Sequence, residues 1–74
     1  MDPQRLVTMA NEIAVFFASY GEEEAIAGTA GHIKAFWDPR MRRAIHEHVA
    51  AGGAGLSPIA LAALKRLPPP RTSL

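Results

Sequence analysis

The sequence predicts an all-α fold, a small bundle of three to four short helices, on three observations. Asp2-Pro3, Asp38-Pro39 and Ser57-Pro58 each set a short oxygen-bearing side chain before a proline. That order suits a helix start: the oxygen accepts from a free N–H of the first turn, and proline fits the first helical position, where no N–H is needed. Between these signals, large apolar residues recur at helical spacing. Strand signals are missing, with no sustained polar/apolar alternation and no Asn-Gly or Asp-Gly hairpin.

The first helix is expected from about Pro3 to Ser19 or Tyr20, with Gly21 ending it. At 100° per residue, Leu6, Met9, Ala10, Ile13, Phe16, Phe17 and Tyr20 share one wide apolar face. Gln4, Thr8, Asn11, Glu12 and Ser19 lie opposite, and Val15 among them reads as an ordinary exposed valine. The second helix should begin near Glu22, because Glu22-Glu23-Glu24 suits the positive end of the helix dipole. Ile26, Ala30, Ile33, Phe36 and Trp37 form its apolar stripe. Ala27, Gly31 and Ala35 fall at i, i+4 and i+8 on its back, with Gly28 beside them. Such small residues allow close approach of another backbone; the alternative is two short helices joined near Gly28 to Gly31.

The third helix is expected from Pro39 to about Ala51, stopped by Gly52-Gly53. Met41, Ala44, Ile45, His48 and Val49 should face inward, leaving Arg42, Arg43, His46 and Glu47 outward or at the edge. Ser57-Pro58 then opens a last helix ending near Leu67. It is apolar nearly all round, with Ile59, Leu61, Leu64 and Leu67 pointing to different sides, so it needs cover on more than one face. The expected organisation is one helical domain over residues 1–67 and a disordered Pro-rich C-terminal tail over 68–74.

Composition narrows the chemistry. Of 36 hydrophobic residues among 74, alanine supplies 14, which leaves a thin core for a domain standing alone. The absence of cysteine excludes disulfides, thiolate zinc sites, cysteine-held iron–sulfur clusters and a cysteine nucleophile. A net charge of +1 is too balanced for a general polyanion binder. No apolar run approaches the roughly 18 residues of a membrane span. The N-terminus lacks a signal-peptide pattern, so no membrane partner and a cytoplasmic location are expected.

Catalytic and metal constellations fare poorly. His46 and His48 are two residues apart and point about 200° from each other on a helix, so one ion cannot take both. The pattern His-Glu-x-x-His fails because position 50 is Ala50. Gly52-Gly53-Ala54-Gly55 lacks the lysine and hydroxyl residue of a phosphate loop. No serine is paired with a base. Arg40, Arg42 and Arg43 beside Trp37 make a weak case for nucleic acid, since base-reading polar neighbours are missing. Tryptophan and arginine favour protein contact instead. The reading is a helical interaction module without catalysis of its own.

Met9-Ala10-Asn11-Glu12-Ile13-Ala14-Val15-Phe16-Phe17 and Ala35-Phe36-Trp37-Asp38-Pro39-Arg40-Met41-Arg42 resemble the delta subunit of NAD-dependent molybdenum formate dehydrogenase. Gly52-Gly53-Ala54-Gly55-Leu56-Ser57-Pro58 is similar too, and the resemblance covers roughly residues 5–67. It implies a non-catalytic accessory subunit of a cytoplasmic enzyme that oxidises formate to carbon dioxide and reduces NAD. The implied partners are an alpha subunit with a bis-molybdopterin guanine dinucleotide centre, and beta and gamma subunits. Iron–sulfur clusters and flavin (FMN) are carried by those partner subunits, none by this chain. The implied role is binding the large subunit and supporting assembly or cofactor retention. Partner contacts are expected at Phe17, Trp37, Pro39, Arg40 and Arg43, with Trp37 equally suited to the internal core. Other readings of the same surfaces are a stand-alone homodimeric helical protein and a weak DNA-binding adaptor.

Overall fold

In a computed structural model, residues 2–69 are described, and within them the chain forms four α-helices and no strand. These are α1 (Pro3–Phe17), α2 (Glu22–Phe36), α3 (Pro39–Ala50) and α4 (Pro58–Arg66). The part of the expected tail at 70–74 lies outside the described residues.

All three helix-start dipeptides act as caps. Asp2 Oδ1 accepts from Gln4 N at 3.0 Å, Asp38 Oδ1 from Met41 N at 2.9 Å, and Ser57 Oγ from Ala60 N at 3.3 Å. Each cap is worth about 1 kcal/mol against alanine. The fourth start differs: Gly21, at φ +96°, precedes α2 and no side chain caps it. Glu22, Glu23 and Glu24 meet the positive end of that helix instead. α1 tightens into a 3-10 turn over Ala18–Tyr20 before Gly21. α3 closes by the glycine route, with Gly53 N donating to His48 O at 2.9 Å and Gly52 N to Val49 O at 3.0 Å. Gly52 there has φ +123°, a left-handed position that a Cβ would strain.

The core draws on every helix: Leu6, Val7, Ala10 and Ala14 from α1, Ile33 from α2 with Trp37 just after it, Ile45 from α3, and Ala60, Leu64 and Leu67 from α4 and its end. Ile33, Ile45 and Leu64 are wholly enclosed. α4 packs against α2, α1 and α3, which supplies the cover that its all-round apolar surface requires. Six buried alanines, at 10, 14, 25, 30, 60 and 63, let these helix backbones come close. Thr29 is also fully buried, and its Oγ1 has no hydrogen-bond partner among the described residues.

The buried face of α1 is shifted from the one that spacing suggested: Leu6 and Ala10 are buried and Met9 and Ile13 pack against the core, but the aromatic edge is not covered. Phe16 is 68% exposed and Tyr20 57%, while Val7 and Ala14 are buried. Taking Ala10 as the centre of the stripe, Val7 and Ala14 lie within about 60° of it, whereas Phe16 lies about 120° away. The positions of α2, α3 and α4, all of which pack against α1, select that arc and leave the aromatic edge outside. Phe36 likewise lies on the expected α2 stripe but is 74% exposed, stacked on His32 with ring centroids 4.7 Å apart. At the end of α2 it is the next residue, Trp37, that turns into the core, and Phe36 stays outside.

α2 is continuous through both glycines, so the two-piece alternative is not taken. Gly28 has a reason to be glycine: a Cβ there would lie 2.7 Å from Phe17 Cδ1. Gly31 has none within the fold, since a Cβ would meet nothing within 4 Å. Ala27, Gly31 and Ala35 are all exposed.

Candidate functional site

Three of the expected contact residues gather on the outward side of α3. The Asp38 cap and Pro39 start that helix rigidly, and Pro39, Arg40 and Arg43 are all exposed. Positions 39, 40 and 43 fall within about 100° of arc, so they form one small basic patch. Neither Arg40 nor Arg43 has an ion-pair partner among the described residues.

Trp37 takes the internal place. It is 5% exposed, in the core, at the junction of α2 and α3. Phe17 is half-buried on the α1–α2 seam, over Gly28. Its ring meets Phe16 edge-on at 5.0 Å and Tyr20 at 6.1 Å. From Gly28 to Phe36, α2 rises about 12 Å, so Phe17 is not brought into the α3 patch. The five residues therefore divide into a basic surface, a buried anchor and an aromatic seam.

Behind Arg43 on the same helix, Arg42 and His46 are half-buried one turn apart. Arg42 Nε and His46 Nε2 are sealed from solvent without hydrogen-bond partners among the described residues. Burial lowers the His46 pKa from its ordinary value, the Arg42 charge lowers it further, and the Pro68 carbonyl opposes both. His46 is thus held towards its neutral form. His48 lies at the edge of the core and donates from Nε2 to Ala54 O at 2.8 Å, pinning the glycine-rich loop.

Asn11 does more than its place on the polar side of α1 suggested. Its Nδ2 donates to Gly55 O at 2.9 Å, and its Oδ1 accepts from Ser57 N at 2.9 Å. One amide thereby clamps the loop that leads into α4. A lone mid-helix asparagine gives no spacing signal; the partner lies 44 residues along the chain. Glu23 and Arg66 pair at 2.6 Å across α2 and α4, an exposed bridge that holds the Glu23 carboxyl below its ordinary pKa and raises that of Arg66.

Among the described residues no group of three or more histidines and carboxylates is placed to hold a metal ion. No helix there is long and apolar enough to cross a membrane. Without cysteine, the chain also offers no thiolate to an iron–sulfur cluster. Among the described residues, what the arrangement offers chemically is surface: two exposed guanidinium groups on α3 and, apart from them, exposed aromatics at the end of α1.

No curated protein and no solved structure matches the chain significantly. A family model does match, that of the NADH-dependent formate dehydrogenase delta subunit FdsD, over residues 5–64. The matched stretch takes in α2, α3 and most of α1 and α4, including Asn11, Trp37 and the α3 patch. The chain belongs to the delta-subunit family of NADH-dependent formate dehydrogenases.

Proposed function

We propose that the chain is a non-catalytic accessory subunit that docks on the large, molybdenum-bearing alpha subunit of a cytoplasmic formate dehydrogenase. Beta and gamma subunits belong to the same complex. Docking supports assembly of the complex or retention of the bis-molybdopterin guanine dinucleotide in the alpha subunit. The observation that carries this reading is the family match across 5–64.

The α3 patch is the docking surface favoured by its chemistry. Arg40 and Arg43 stand exposed beside Pro39 on a helix whose start is fixed by a cap, so little backbone freedom is lost on binding. Each guanidinium can take a partner carboxylate bidentately. Trp37 contributes by holding the α2–α3 junction, and Phe17 by its exposed edge on the aromatic seam. A carboxylate pair sealed from water at an interface is worth a few kcal/mol when one side is removed, against less than about 1 kcal/mol on a free surface.

The test is Arg40→Ala with Arg43→Ala in the chain co-produced with its partner subunits. The double variant should be lost from the purified complex while the isolated chain keeps its helicity. Molybdenum content and formate-dependent NAD reduction of the remaining complex then separate assembly from cofactor retention. Wild-type recovery of the double variant in the complex would remove this patch from the interface.

A further inference from the structure

A groove runs between α1 and the start of α4, away from the α3 patch. Its larger part, about 460 Å³, is walled by Ala14, Val15, Ala18, Pro58 and Ile59, with Glu22 its one charged residue among those described. A smaller part, about 330 Å³, continues along α1 past Thr8, Asn11 and Glu12, with Glu12 its one charged residue among those described. Val15 lines both and is 74% exposed, although the same helix buries the smaller Ala10 and Ala14. The groove is built in advance of any occupant. Asn11 ties α1 to Gly55 and Ser57, and Ser57 in turn caps α4, so the Pro58–Ile59 wall is fixed against α1. A pre-formed apolar site avoids the ordering cost of binding.

Charge indicates what fits. Both charged residues that line the groove among the described residues are acidic, so an apolar side chain flanked by lysine or arginine would satisfy floor and edges together. A second copy of this surface does not meet that need. α1 carries Val15 and Phe16 with Arg5 as its one basic residue, so it brings almost no cation to Glu12 and Glu22. We infer that the α1–α4 groove seats an apolar side chain flanked by lysine or arginine from another subunit of the formate dehydrogenase. This rests on the accessory-subunit reading and adds a second contact, on a different face from Arg40 and Arg43.

The chain has no cysteine, so Val15→Cys creates a single thiol in it. Maleimide labelling is read from the mass of this chain, once isolated and once within the assembled complex. The expected result is ready labelling of the isolated chain and loss of labelling in the complex. Glu12→Arg with Glu22→Arg should lower the amount of chain retained in the complex, with Arg40 and Arg43 untouched. Equal labelling in both states overturns the proposal, and undiminished retention of the charge-reversed chain overturns the basic character of the occupant. Protection in the isolated monomer that is lifted by deleting residues 70–74 would assign the groove to the chain's own end and overturn it. If the wild-type chain joins no complex and Val15→Cys is protected at dimer mass, the accessory-subunit reading itself fails. Protection of Val15→Cys in a complex from which Arg40→Ala/Arg43→Ala is not lost would leave the groove contact standing and remove only the α3 patch.

Discussion

Gly28 and Gly31 occupy one helix three residues apart, yet replacing each with alanine should move stability in different directions. Alanine is favoured over glycine by about 0.8–1 kcal/mol in a helix interior. At Gly31 a Cβ would meet nothing within 4 Å, so Gly31→Ala should gain nearly all of that. For a domain of this size, 1 kcal/mol corresponds to roughly 4–8 °C in the unfolding midpoint. At Gly28 the new Cβ would lie 2.7 Å from Phe17 Cδ1, 2.8 Å from Cε1 and 3.0 Å from Cγ. The whole edge of the ring must then move, and overpacking of this kind costs about 1–3 kcal/mol. Gly28→Ala is therefore expected to be neutral to destabilising by about 2 kcal/mol, well below Gly31→Ala. Urea unfolding of the isolated chain, followed by far-UV circular dichroism, reads both. Adding Phe17→Ala closes the cycle: in that background Gly28→Ala should become stabilising, because the obstructing ring is gone. Equal stabilisation by the two single changes would refute the seating of Phe17 on α2.

Two further outcomes follow from the polar contacts. Asn11→Ala removes both hydrogen bonds to the loop and leaves the half-buried Ser57 N–H without its acceptor, which should cost about 2–3 kcal/mol in urea unfolding; a loss below about 0.5 kcal/mol would mean water replaces the amide freely. His46 binds a proton less tightly when folded than unfolded, through burial first and the Arg42 charge second, against the Pro68 carbonyl. Its contribution is thus whole above the ordinary histidine value of 6.5, falls as pH drops below that, and levels off under the folded-state pKa. His46→Gln should flatten this acid-side loss in a series of unfolding curves, and an unchanged pH profile would contradict it.

Local chemistry determined where three of the four helices begin and where α3 ends. Asp2, Asp38 and Ser57 each act on an N–H within three residues, and Gly52-Gly53 closes α3 through bonds within five, so these signals are complete in the neighbouring sequence. The same is true of α3's inward row around Ile45, because one apolar arc on that helix has no competitor. The basic α3 patch was legible for the same reason: Pro39, Arg40 and Arg43 are arranged by their own helix. Tertiary structure decided the rest. α1 carries more apolar residues than one neighbour can cover, and only the positions of its neighbours select Val7 and Ala14 over Phe16 and Tyr20. Trp37 suited surface or core equally in sequence, and the α2–α3 junction enclosed it. The Asn11 clamp and the Val15 groove join α1 to residues some 44 positions away, a distance at which helical periodicity carries no information. Helix limits are thus set by contacts along the chain, and buried faces by contacts across it.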